Sequence, residues 1–89
     1  MLLTAKQAAS VAAKYLKDLI PSAEGVLLEE VDQEISRGKL TWNITLSFVP
    51  GSGSGVSILP YTISGKKDYK AFRIDATSGE VISMKIRNV

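Results

Sequence analysis

The sequence predicts an α+β fold: one N-terminal helix packed on an antiparallel four-stranded sheet, with a candidate fifth strand at one edge. Three observations carry this. Apolar residues recur at helical spacing near the N-terminus, they alternate with period two from Leu40 onward, and a polar turn separates two alternating runs near the C-terminus. The chain has 89 residues, 45% of them hydrophobic, which fills one core and makes residues 1–89 a single domain.

The helix is announced by a capping box. The Thr4 hydroxyl accepts the amide three residues on, and Gln7 reaches back to the Thr4 amide. Ala8, Val11, Ala12, Tyr15, Leu16 and Leu19 then fall on one face, with Lys6, Ser10, Lys14 and Lys17 opposite. Pro21 cannot continue a helix, so the stop falls at Leu19 or Ile20, after about four turns. A lysine-bearing outer face is the ordinary state of a surface helix and gives no reason to invoke a membrane or a nucleic acid.

"LTWNITLSF" alternates without a fault, with Leu40, Trp42, Ile44, Leu46 and Phe48 on one side. Trp42 is expected on the face that meets the helix, near Tyr15 and Leu16. Upstream, Leu27, Val31 and Ile35 share one parity, and Glu30, Asp32 and Glu34 the other. Matching apolar faces across a hairpin sets Ile35 opposite Leu40 and Val31 opposite Ile44. The loop is therefore even in length, either Arg37-Gly38 or residues 36–39. The acidic row Glu30, Asp32 and Glu34 is no calcium site on this reading, because a straight strand lines carboxylates up and cannot wrap an ion.

"VPGSGSGVS" is a glycine-serine loop. Neither a helix start nor a lysine follows closely, so it lacks the machinery of a phosphate cradle. Leu59, Tyr61 and Ile63 share a parity and supply the candidate fifth strand, where Pro60 suits an edge. In "FRIDATSGEV", Phe72 and Ile74 precede a polar centre, and Ile82, Met84 and Ile86 share a face after it. Superposing those faces pairs Ile74 with Ile82 and Phe72 with Met84. That leaves a three-residue loop, Thr77-Ser78-Gly79, closed by Ala76 and Glu80, with Gly79 at the left-handed position and Asp75 accepting a turn amide.

The composition excludes much chemistry. The chain has no cysteine and no histidine, so thiol catalysis, cysteine-held zinc and histidine-based proton transfer are all absent. Ser78 has no histidine to activate it, and Asp75 lies two residues too far from Ser78 for an aspartic-protease motif and has no second copy. We expect no enzyme, no cofactor and no metal. Eleven basic and nine acidic residues leave a net charge of +2, too balanced to argue for nucleic acid. No apolar run approaches the roughly 20 residues of a membrane span. Lysines interrupt the N-terminal stretch, so the start as written predicts a cytoplasmic chain; were Met1 added to a trimmed one, the expectation becomes extracytoplasmic.

The closing stretch, with Ile74, Asp75, Ala76, Gly79, Glu80 and Val81, resembles the last hairpin of PepSY domains, the peptidase propeptide and YpeB-type family. The alanine-rich helix, the acidic strand and the tryptophan-bearing strand before it are similar as well. The resemblance implies structural rather than catalytic roles for these residues, an origin commonly outside the cytoplasm or beside a membrane, and a role in restraining peptidases or binding proteins. The expected function is accordingly a non-catalytic protein-binding module that regulates or inhibits a peptidase or envelope partner. The alternative is a small-molecule or lipid-binding module with a pocket between helix and sheet. The expected binding residues occupy the sheet face away from the helix: Thr41, Asn43, Thr45, Arg73, Lys85 and Arg87.

Overall fold

A computed structural model describes residues 2–49 and 67–87. Helix α1 (Ala5–Leu19) is followed by strands β1 (Glu24–Ser36), β2 (Lys39–Val49), β3 (Asp68–Asp75) and β4 (Val81–Ile86). The strands form one antiparallel sheet in the order β1-β2-β3-β4. The candidate fifth strand at Leu59, Tyr61 and Ile63 and the glycine-serine loop lie outside the described residues.

The capping box forms as expected. Thr4 Oγ1 accepts the Gln7 amide at 3.2 Å, and Gln7 Oε1 accepts the Thr4 amide at 2.8 Å. At the other end, Lys17 Nζ donates to the carbonyls of Pro21 (3.0 Å) and Ala23 (2.7 Å), tying the helix terminus to the start of β1. Ala8, Ala12 and Leu16 are fully buried, and the two alanines let the helix axis approach the sheet closely. They pack on Ile44, Leu46, Phe48, Phe72 and Ile74. Leu19 stays half exposed, and Tyr15 meets Phe72 edge-on, with ring centroids 6.2 Å apart.

The first hairpin adopts the expected register, with Ile35 opposite Leu40 and Val31 opposite Ile44. Its loop is the two-residue version. Arg37 (φ 53°) and Gly38 (φ 78°) are both left-handed, the geometry that matches strand twist in such loops. The parity assigned to Leu27 is corrected by the structure. A bulge between Leu28 and Glu30 sets Leu28 opposite core-facing Leu46, and Leu27 opposite Ser47 on the other face.

The second hairpin also departs from simple alternation. Phe72 opposes Met84 as expected, but Ile74 opposes Val81, leaving Ile82 as an extra residue. Ile82 is therefore half exposed, while Val81 and Met84 pack against the core. The loop has four residues, Ala76 to Gly79, because the Asp75 amide donates to the Glu80 carbonyl and the Gly79 amide to the Asp75 carbonyl. The cause is Ala76. Fully buried, it donates its amide to the Leu40 carbonyl and accepts the Leu3 amide at 2.7 Å, so it faces β2 and the segment before α1 and cannot close the β3–β4 ladder.

Trp42 sits elsewhere than expected. Its indole Nε1 donates to the Leu3 carbonyl at 2.9 Å, which places it at the start of α1. Tyr15 lies about 18 Å further along the helix, at 1.5 Å per residue. The segment before the helix thus binds β2 through Trp42 and the closing turn through Ala76 and Gly79.

Asp75 behaves as the turn reading requires. Its Oδ1 accepts the amides of Thr77 (2.7 Å) and Ser78 (3.1 Å). Those two bonds, the Ser78 amide first, favour the charged carboxylate and hold its pKa below the ordinary 3.8, with Lys39 assisting. A lowered folded pKa makes the carboxylate stabilising above the unfolded value. That contribution is lost as pH falls through the folded one. Asp75→Asn keeps an acceptor but not the charge. Its deficit in melting temperature relative to the parent is expected to be full above about pH 5 and to close as the pH falls below 3.8.

The three left-handed loop positions give opposite mutational signs. Gly79 has φ 77°, and a Cβ there would meet Leu3 at an ordinary 3.6 Å, so the cost of a side chain is in the backbone. Gly79→Val is expected to destabilise by more than ~1 kcal/mol, whereas Arg37→Asn should stabilise by up to ~1 kcal/mol, both measured by urea unfolding.

Candidate functional site on the open face of the sheet

Alternation sends one set of side chains to the helix and the other to the opposite face. On that open face, β2 contributes Thr41, Asn43, Thr45 and Ser47 as the floor. Registered cross-strand rows run Glu34–Thr41–Asp75, Asp32–Asn43–Arg73–Ser83, and Glu30–Thr45–Ala71–Lys85. Arg87 follows, its amide bonded to the Tyr69 carbonyl at 3.0 Å. Ala71 is the small residue in the middle, and over it the long side chains of β1 and β4 enclose a trough of about 730 Å³.

The acids of β1 reach inward across β2. Glu34 Oε1 accepts from Asn43 Nδ2 at 3.0 Å and lies 3.7 Å from the Arg73 guanidinium. Glu30 Oε1 accepts from Thr45 Oγ1 at 3.3 Å and pairs with Arg87 at 2.9 Å. Glu29, turned inward by the bulge, accepts from Ser47 Oγ at 2.7 Å. Two of these bonds satisfy hydroxyls that would otherwise be buried without partners, since Thr45 and Ser47 are 6% exposed or less. The two ion pairs are 40–53% exposed, so each belongs to the surface class worth at most about 1 kcal/mol.

Of the six residues expected to bind, Asn43, Thr45, Arg73, Lys85 and Arg87 line the trough, and Thr41 is buried outside it. The acids of β1 and the bases Arg73 and Arg87 are not separated in space, because Arg73 meets Glu34 and Arg87 meets Glu30. Lys85 has no ion-pair partner among the described residues. Asn43 Oδ1, Arg73 Nε and Ser83 Oγ, all in one cross-strand row, are buried without a hydrogen-bond partner among the described residues. Ser83 and Ala71 belong to the site and were readable from strand parity. Glu29 was not, because nothing local marks the bulge that turns it inward.

One helix over one face, and a polar trough with charged walls on the other, define a small α+β module. The chain belongs to the PepSY family: the peptidase propeptide and YPEB domain matches residues 2–85, nearly its whole length. No curated protein and no solved structure matches it significantly. PepSY domains are generally non-catalytic modules associated with peptidase propeptides and regulation, and typically occur outside the cytoplasm. Among the described residues, no helix is long and apolar enough to cross a membrane.

A double-mutant cycle on Glu30 and Arg87 is expected to give a coupling of about 0.5–1 kcal/mol that shrinks in high salt. Glu34 with Arg73, at the longer distance, should give less.

Proposed function

We propose that this chain is a non-catalytic protein-binding module that regulates or inhibits a peptidase or an envelope partner, docking through the open face of its sheet. The observation that carries the proposal is the trough itself, where Arg73, Lys85 and Arg87 face Glu30 and Glu34 across a small central residue, Ala71. Asn43 and Thr45 form its polar floor, and Thr41 is buried beside them on the same strand, outside the trough. Family membership supports the peptidase connection and a setting outside the cytoplasm.

The mechanism follows from the ion pairs. A partner carboxylate that reaches Arg73 or Arg87 exchanges one exposed pair for another at little cost, and arginine offers it a bidentate fork. Lys85 and Asp32 supply unpaired charge of both signs, which steers and orients a partner that is itself two-signed. The space between helix and sheet, considered above as a ligand pocket, is occupied by the buried cluster of Ala8, Ala12, Leu16, Phe48 and Phe72.

The test is binding kinetics against a partner captured from the native envelope. Arg73→Glu with Arg87→Glu is expected to weaken binding about tenfold or more, chiefly through slower association. Lys6→Glu with Lys14→Glu, on the helix, should change it little. Equal losses from both pairs, or none from the sheet pair, would place the binding surface elsewhere.

A further inference from the structure

Strand β1 is an edge of the described sheet, and 11 of its 13 residues are exposed. From Glu30 to Ser36 its pairing with β2 runs without a bulge. Ser36 and Lys39 flank the two-residue loop, so Ser36, Glu34, Asp32 and Glu30 direct their backbone groups to β2. Val31, Gln33 and Ile35 direct theirs outward. Among the described residues, the Gln33 amide accordingly donates to no strand but to the Asp32 carboxylate, at 3.0 Å. Side chains along this edge sort into two rows. Leu28, Val31 and Ile35, on the helix side, are 50%, 43% and 75% exposed, and the open-face row is Glu30, Asp32 and Glu34.

We propose that this edge is a strand-addition site for an extended segment of another protein in which Lys or Arg alternates with apolar residues. Backbone bonds to Val31, Gln33 and Ile35 would extend the sheet, with apolar side chains beside Val31 and Ile35 and cations beside the acids. Charge selects the occupant. The strand carries Glu24, Glu29, Glu30, Asp32 and Glu34 and no Lys or Arg, so a second copy pairing β1 with β1 would set acid against acid. A cationic strand meets no such repulsion. The proposal shares Glu30, Asp32 and Glu34 with the wall of the trough but rests on the outward backbone groups of Val31, Gln33 and Ile35, which the trough does not use.

The probe is a short synthetic peptide alternating lysine and valine, blocked at both ends, added to the whole chain and followed by amide chemical shifts and hydrogen exchange. Saturable binding is expected, with slowed exchange at Val31, Gln33 and Ile35. A glutamate-valine peptide, the lysine-valine peptide N-methylated at alternate residues, and the Asp32→Lys protein should each bind about tenfold more weakly or not at all. Four results would each overturn the proposal. The first is no binding of the lysine-valine peptide, and the second is binding without protection at those three amides. The third is undiminished affinity of the N-methylated or acidic peptide. The fourth is protection of the same amides by raising the protein concentration alone, which would make the occupant a second copy.

Discussion

A single helix is too narrow and too short for the sheet it covers, and most of the architecture follows from that mismatch. A helix with its side chains is about 10 Å across, while four strand axes span about 14 Å. The 15 residues of α1 extend about 22 Å, whereas the 13 of β1 extend about 43 Å. Burial is therefore concentrated beneath the helix, at Ile44, Leu46, Phe48, Phe72 and Ile74. The flanks stay open: Ile35 at the hairpin tip, Ile82 and Ile86 on the far edge. The segment before α1 extends coverage by about one turn, and Trp42 and Gly79 are the contacts it gains.

The face without a helix is stabilised by different means. Among the described residues it carries no apolar layer, and glutamates from β1 accept from the buried hydroxyls of Thr45 and Ser47. Glu30 and Glu34 each serve a floor residue of β2 and an arginine further in. The walls of the trough are thus hydrogen-bonded to its polar floor, and its ion pairs belong to the weak, half-exposed kind.

Much of this was legible in the sequence because local chemistry fixes it. Thr4 and Gln7 define the helix start whatever follows, Pro21 limits its end, and the shared parity of Val31, Ile35, Leu40 and Ile44 leaves one register for the first hairpin. The family resemblance rested on the closing hairpin, where Asp75 and Gly79 have fixed turn roles. Parity counting failed where an extra residue enters a strand, at Leu28–Glu30 and at Ile82. Both bulges answer to distant partners. One brings Glu29 to Ser47, and the other compensates for Ala76 turning toward Leu3 and Leu40. Trp42 was placed on the correct face but beside the wrong neighbour, because period-two counting fixes a side and not a position along the helix. Of the site, the rows were readable and the pairings across β2 were not.

The order of these elements along the chain gives the acids of β1 an earlier task. During synthesis the helix and first hairpin emerge before Arg73 and Arg87 exist, so Glu30 and Glu34 are then without their cations. In that interval the hairpin presents a long unpaired edge with half-exposed leucine and isoleucine beside it, the kind of surface on which nascent chains aggregate. Five carboxylates and no base on that strand make two such hairpins repel. When β3 and β4 arrive, two of those charges are neutralised on the inner side of the strand, and the edge keeps the rest.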